Sequence, residues 1–278
     1  MSEQQAGLTR RGFLAGVGGF TAGFAAGGLG VSRAMATPTA PDWPFPYVRL
    51  DPEEVRKLGH RGYYDAECCE GTFTAIIGSL QEKVGAPYTN IPLQMMGYGT
   101  GGVGGWCTLC GAVNGACAAI AMVTKNFKPI VNELLLWYIR TPFPSDTANS
   151  LAVNHQYLVD KYKSDKALPA MAPGSPLCHV NVSRWCREYG FASGSGERSE
   201  RCARISGDVA AYVVTLLNAD LDGKFEAVLK ESPEVAGCRS CHKKGKEFEV
   251  GQWTRGKMEC GDCHNLDTAK LVGPDHGV

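Results

Sequence analysis

The sequence predicts a mainly α-helical domain followed by a short, irregular C-terminal segment. Apolar residues recur at helical spacing in several windows between residues 50 and 220, whereas the alternation typical of strands is scarce. Proline and glycine separate these windows. Near Pro233 the composition changes, and from Ala236 on the chain is polar and rich in glycine and lysine. The last segment therefore has too few apolar residues to form a core of its own.

Length and composition indicate a globular chain of one or two domains. The 278 residues are 44% hydrophobic, which is typical of neither a disordered chain nor a multi-span membrane protein. Lysine plus arginine and aspartate plus glutamate each number 28. Without residues 1–36 there remain 25 basic and 27 acidic residues. This balance provides no long-range attraction to nucleic acid, so we expect no nucleic-acid partner.

The N-terminus is predicted to be a twin-arginine export signal over residues 1–36. Arg10 and Arg11 precede 21 uncharged residues, and Ala34-Met35-Ala36 offers a cleavage site. A retained membrane anchor is the alternative, which the eight glycines of the segment disfavour because glycine adds little hydrophobicity. We therefore expect a periplasmic protein without a membrane span after cleavage. Because this route transports folded proteins, we also expect a cofactor that is loaded before export.

The first helix is predicted to begin after Asp51. Asp51 can cap the helix, Pro52 suits its first turn and Glu54 completes a capping box. Apolar residues then recur at helical spacing as far as Val84. Together these features predict a long helical region at the start of the domain, which spans residues 37–235.

A glycine-rich loop over residues 97–105 precedes a run of small residues over 110–119. So many small side chains indicate a helix that packs closely against a neighbour or a cofactor. Further helices are predicted over residues 127–139, 148–162, 182–189 and 198–217. No Gly-Lys-Ser/Thr follows the glycine-rich loop, which argues against a phosphate-binding loop.

Residues 236–278 carry two haem-attachment motifs of the form C-x-x-C-H. They are Cys238-Arg239-Ser240-Cys241-His242 and Cys260-Gly261-Asp262-Cys263-His264. In each motif two thiols can bond one haem, and the adjacent histidine then ligates its iron. A zinc ribbon and a redox dithiol are the alternatives. Haem is favoured because a four-cysteine zinc site needs no histidine after both pairs. The sequence thus predicts two haems c per chain.

Each haem iron also requires a distal ligand. We favour His155, which lies on a predicted helix, and His179, which directly follows Cys178. His60 and His276 are the reserve candidates. Ligation by methionine (Met171 or Met258) is a further possibility and would raise the reduction potential.

Eight further cysteines lie outside the haem motifs. The simplest interpretations of these eight cysteines are disulfides or buried free thiols. Their placement also suits a metal cluster, because thiols from four separate elements can converge on one site. The eight are Cys68, Cys69, Cys107, Cys110, Cys117, Cys178, Cys186 and Cys202.

Four short segments around these cysteines resemble the C-GCAxxG-C-C redox protein family. They are Glu67-Cys68-Cys69, Cys110-Gly111-Ala112-x-x-Gly115, Gly174-Ser175-x-x-Cys178 and Arg201-Cys202. In this chain Gly111 follows Cys110, whereas the family pattern places a glycine before the cysteine. Joined to the two haem motifs, the pattern resembles the split-Soret cytochromes c of sulfate-reducing bacteria over roughly residues 50–270.

The resemblance implies a homodimer with two closely stacked haems per chain and exchange of a histidine ligand between subunits. It also implies a [2Fe–2S] cluster held by Cys68 or Cys69 together with Cys110, Cys178 and Cys202. The implied function is electron transfer between periplasmic redox partners. A periplasmic haem-dependent reductase with an open iron site is the enzyme alternative, and a zinc or disulfide scaffold is the non-redox alternative.

Overall fold

The computed structural model describes residues 41–243, 245–247, 251–252 and 254–262. Over these residues the chain is mainly α-helical, which confirms the predicted fold class. Two isolated antiparallel bridges, Leu109–Leu177 and Phe143–Met171, are the strand-like pairings in the described part. The predicted signal segment lies outside the described residues, as do Cys263, His264 and His276.

Seven α-helices follow one another along the described chain. They are α1 (Pro52–Val84), α2 (Gly111–Val123), α3 (Phe127–Arg140), α4 (Asp146–Val153), α5 (Cys178–Tyr189), α6 (Gly196–Leu221) and α7 (Pro233–Cys241). The predicted helix over residues 148–162 was wrong at its C-terminal end. There α4 stops at Val153, and His155 adopts a φ of 51°, which an α-helix does not accommodate.

The core lies mainly between α1 and α6, with α2 and α3 against them. Asp51 caps α1 as predicted, because its side chain accepts hydrogen bonds from the backbone amides of Glu53 and Glu54. Apolar side chains from all four helices are buried between them; they include Phe73, Ile76, Ala116, Ile120, Ile130, Leu134, Val209 and Val213. The domain thus has one continuous hydrophobic core.

A kink divides α1 into two arms at Ala66 and Glu67. Ala66 has φ −149° and ψ 18°, and Glu67 has φ 63° and ψ −170°. The two arms pack against each other at Gly62 and Gly71. A Cβ atom on Gly62 would lie only 2.7 Å from the Cα atom of Gly71. The second arm therefore begins at Cys68, so that this cysteine lies at the N-terminal end of a helix.

Replacing Gly62 by alanine should destabilise the protein by about 1–3 kcal/mol, because the new methyl group collides with backbone that cannot rotate away. Gly78→Ala in the same helix is the matched control. A Cβ there would lie 3.6 Å from the nearest side-chain atom, and alanine favours the helix by about 0.5–1 kcal/mol. Urea unfolding of both variants would measure the difference. Equal stability of the two variants would contradict the close approach of the arms.

A buried polar network joins the first arm of α1 to α6. The Glu200 carboxylate accepts hydrogen bonds from His60 Nε2 (2.9 Å), from Arg204 Nε (3.0 Å) and from the Tyr64 hydroxyl. His60 also stacks on Tyr157, with ring centroids 3.6 Å apart. His60, Glu200 and Arg204 are fully buried. Burial lowers the pKa of His60, so Glu200 and Arg204 form the charged pair.

No helix in the described part of the chain is both long and apolar enough to cross a membrane.

Candidate metal centre

The two adjacent cysteines of α1 point to different places. The Cys68 sulfur lies against Gly111, where any Cβ would overlap it, and the Cys69 sulfur lies against Gly99 in the same way. Cys68 also receives a hydrogen bond from the backbone of Gly101. Glycine at these positions is what allows the chain to approach the two sulfurs so closely.

The Leu109–Leu177 bridge brings two more cysteines together. Across it Cys110 N donates to Pro176 O (2.9 Å), and Cys178 N donates to Thr108 O (2.6 Å). Cys110 and Cys178 each directly follow a member of the bridged pair, so their side chains leave on the same face. Cys110 is the N-cap of α2 and Cys178 is the first residue of α5.

Backbone and side-chain donors surround the Cys110 sulfur. Burial has the largest effect on the pKa of this thiol and raises it, whereas the Tyr138 hydroxyl and the backbone of Val113 and Ala112, in the first turn of α2, act to lower it. Asn181 Nδ2 donates in turn to the Tyr138 oxygen over 2.7 Å. Donors of this kind stabilise a thiolate.

Cys202 is the seventh residue of α6 and lies among positive charges. The Arg198 guanidinium donates a hydrogen bond to its sulfur. Arg201 is fully buried, bonds Asn181 Oδ1 at 2.8 Å and stacks over Trp185. Two guanidinium groups therefore border a site that would otherwise collect several anionic thiolates.

Four cysteines converge in this region, and each influences the ionisation of the others. The pKa of Cys68 is raised to about 12, first by burial and then by Cys110 and Cys202. The pKa of Cys178 is also raised, by burial and then by Cys110, Cys202, Cys107 and Cys68 in decreasing order. The raised pKa values keep Cys68 and Cys178 protonated at neutral pH without a metal, whereas a bound cation would displace their protons.

We call Cys68, Cys110, Cys178 and Cys202 the four-thiol site. The other four cysteines outside the haem motifs lie around it. Cys107 lies beside Cys178, and Cys186 lies beside Cys202. Cys117 lies beside Cys69, and burial raises its pKa to about 12. Burial and then Cys110 raise the pKa of Cys69 to about 11. No disulfide joins any of the cysteines that the structure describes.

Within the described residues, no three His, Cys, Asp or Glu side chains are close enough together to chelate a single metal ion. Cysteine thiolates are the usual ligands of iron–sulfur clusters.

The first haem motif lies on α7 and its C-cap. Cys238 and Cys241 belong to the helix, and His242 caps it. The His242 Nδ1 atom is 3.0 Å from the carbonyl oxygen of Gly251. A hydrogen bond from Nδ1 to a carbonyl is typical of histidines that ligate a metal through Nε2, because it fixes the tautomer and the ring orientation.

The second haem motif begins beside the first. The Cys260 thiol lies close to the Cys238 thiol, which helps to raise the pKa of Cys260. Gly261 N also donates to Glu234 Oε1 on α7 (3.2 Å), so the two motifs begin near each other. Ser232 Oγ donates to Glu259 Oε2 (2.7 Å), which helps to hold the two segments together. The remaining residues of this predicted motif, Cys263 and His264, lie outside the described residues.

The candidate distal histidines are placed very differently. His155 and His179 are exposed, with His155 Nε2 3.5 Å from Asp165 and His179 Nδ1 3.5 Å from Ser183 Oγ. His60 is fully buried against Glu200, which removes this reserve candidate as a ligand of an external iron. The structure brings neither exposed histidine to α7 among the contacts of the described residues.

Sequence reasoning did not identify Tyr138, Arg198 or Arg201 as parts of the site. Arg198 lies one helical turn before Cys202 on α6, and an arginine at that spacing was an available signal. Tyr138 comes from α3, and only the packing of α3 against the N-terminus of α2 brings it to Cys110.

Three comparisons with known proteins point to the same family. The family model described as putative redox-active protein (C_GCAxxG_C_C) matches residues 67–216, which include all four thiols. Split-Soret cytochrome c of Desulfovibrio desulfuricans is 35% identical over 276 residues, covering 93% of this chain and 95% of that protein. A solved structure titled "A novel iron centre in the split-Soret cytochrome c from Desulfovibrio desulfuricans ATCC 27774" is 34% identical, with a TM-score of 0.68, over 79% of this chain and 89% of that chain. The chain therefore belongs to the C_GCAxxG_C_C family of putative redox-active proteins, together with split-Soret cytochrome c.

Proposed function

We propose that this chain is a periplasmic electron-transfer protein with two haems c on residues 236–278 and an iron–sulfur cluster at the four-thiol site. The adjacency of the Cys238 and Cys260 thiols carries the proposal, because it starts both haem motifs at one place. The relationship to split-Soret cytochrome c supports it. The twin-arginine signal over residues 1–36 supports export to the periplasm.

The residues of the C-terminal segment suit the attachment of two neighbouring haems. Two thiols per motif would form the thioether bonds, and His242 and His264 would be the proximal ligands. Because Cys238 and Cys260, the first cysteines of the two motifs, lie close to each other, the two attached haems would also lie close together, as stacking requires. When bound, the haems supply one-electron redox chemistry.

The exposure of His155 and His179 supports distal ligation between two copies of the chain. Both histidines lie at the surface. A second subunit in a homodimer could present its haems to these side chains. The four axial positions so assigned to histidine, two on each iron, would keep both irons coordinatively saturated, as in an electron carrier rather than a haem-dependent reductase.

The four-thiol site fits an iron–sulfur cluster by its donors, its room and its charge. Its donors are sulfurs from four separate elements, with Cys68 rather than Cys69 facing the other three. Gly111 leaves the Cys68 sulfur uncovered by a side chain on that side. Helix N-termini at Cys68, Cys110 and Cys178 and the guanidinium of Arg198 stabilise negative charge there. A [2Fe–2S] cluster is the type we propose.

The visible spectrum of the exported protein tests this function. We expect two covalent haems per chain by pyridine haemochrome assay, a doubled Soret band from close haems, and additional iron with acid-labile sulfide. A simple Soret band would contradict stacking of the haems. Absence of covalent haem would refute the electron-carrier proposal as a whole.

A further inference from the structure

We propose that four aromatic side chains form an electron route between the four-thiol site and the haem-bearing segment. This aromatic route consists of Tyr138, Phe143, Trp137 and Tyr212. The inference rests on the proposed function, since it assumes redox centres at both ends.

The inner end of the route touches a proposed cluster ligand. The Tyr138 hydroxyl lies beside the Cys110 sulfur, and each group shifts the pKa of the other. Tyr138 is fully buried, so this end of the route lies inside the protein and away from water. An electron that reaches this ring is next to a proposed cluster ligand.

The rings are in continuous contact from Tyr138 outward. Tyr138 and Phe143 have centroids 5.5 Å apart, and Phe143 meets the edge of Trp137 at 5.2 Å. Trp137 stacks on Tyr212 at 3.9 Å with an interplanar angle of 12°. Such spacings are those of rings in van der Waals contact. Tunnelling electrons cross contacting atoms more readily than gaps, so the four rings offer an unbroken medium.

The outer end lies where the haem-bearing segment is fastened to the domain. Burial and then the nearby Glu133 carboxylate raise the pKa of Tyr212 to about 12. The same carboxylate accepts a hydrogen bond from the backbone amide of Leu229 (3.1 Å). On the same face of α3, Arg140 donates to the carbonyl of Lys230. Cys238 follows Leu229 by nine residues. The route thus starts beside the Cys110 thiol and ends near Leu229 and Lys230, in the segment that leads to the first haem motif.

A second attachment fixes the same surface. Lys257, which precedes the second haem motif, donates to Asn132 Oδ1 on α3 over 2.9 Å. Its Nζ atom also lies 3.7 Å from Glu231. Helix α3 therefore carries Trp137 and also anchors the approaches to both motifs.

The step transfers one electron and breaks no bond. A haem iron passes from Fe(II) to Fe(III), and one iron at the four-thiol site passes from Fe(III) to Fe(II), or the reverse. The rings stay closed-shell throughout, because oxidising tyrosine or tryptophan requires potentials well above those of haem and iron–sulfur centres. No further oxidant or reductant takes part in the transfer within the protein.

Trp137→Leu tests the route in the holoprotein. After flash photoreduction of the haems, electron arrival at the cluster should slow several-fold, while haem content, iron content and both reduction potentials stay as in the parent. Trp137→Phe keeps a ring in place and should retain most of the rate. Trp43→Leu removes an exposed tryptophan outside the route and should transfer at the parent rate.

Two outcomes overturn the inference. A parent rate in Trp137→Leu with both centres present would show that electrons do not use the route. If that variant does not fold, Tyr212→Leu replaces a half-buried ring of the same stack and decides the question. A parent protein without a cluster would instead refute the proposed function, on which the route depends.

Discussion

Cys68→Ser should abolish binding of the iron–sulfur cluster, whereas Cys69→Ser should leave it in place. The two cysteines are neighbours in the sequence, but Cys68 interacts electrostatically with Cys110, Cys178 and Cys202, whereas Cys69 interacts with Cys110 among these three. The Cys69 sulfur is instead turned towards Gly99 and the neighbouring Cys117. Serine is a poor ligand of iron–sulfur centres because soft thiolate is what these clusters prefer. Iron and acid-labile sulfide, normalised to covalent haem, would measure the loss.

The paired design separates ligation from folding. Both positions lie at the start of the same helical arm, so a general disturbance of the arm would affect both variants alike. Haem absorbance provides an internal standard, since the haem motifs lie more than 160 residues further along the chain. Loss of the cluster in Cys69→Ser but not in Cys68→Ser would reverse our ligand assignment. Equal retention in both variants would remove this pair of residues from the site.

Glu200→Ala should lower the free energy of unfolding by about 3–5 kcal/mol, which is the usual cost of leaving one member of a buried ion pair alone. The substitution removes the acceptor of Arg204 Nε and of His60 Nε2 in a place without access to water. Arg204 would keep its bonds to the Ser164 and Lys166 carbonyls, but its positive charge would have no buried counter-charge. Denaturant unfolding of purified holoprotein would measure the effect.

Two further variants serve as controls for Glu200→Ala. Glu200→Gln keeps the shape and a hydrogen-bond acceptor while removing the charge, so its loss should be smaller than that of alanine. Glu82→Ala, at an exposed position near the end of α1, should change stability by less than about 0.5 kcal/mol. If Glu200→Ala were as benign as Glu82→Ala, the network would contribute nothing to stability.

The sequence by itself determined the fold class, the start of α1 and the candidate ligands. Helical periodicity predicts helices because every third or fourth side chain must face the core, and that rule needs no knowledge of the partner helix. The Asp51 cap is equally local, since a side chain bonds amides two and three residues away. The haem motifs were also readable, because the chemistry of attachment requires its residues within one turn.

The tertiary structure decided what depends on several helices meeting. The adjacent Cys68 and Cys69 directly follow the kink at Ala66 and Glu67, and the packing places one sulfur against Gly111 and the other against Gly99. Hydrophobic periodicity also did not predict the end of α4 at Val153, because it carries no information on the positive φ of His155.

The same limit explains the residues that pattern reasoning passed over. Tyr138 reaches Cys110 from another helix, and His60 is withdrawn from the candidate ligands by Glu200, 140 residues away. Local patterns encode which groups can do chemistry, because spacing along one helix or turn is set by the backbone. Long-range packing determines which of those groups meet, and that depends on the shape of the whole core.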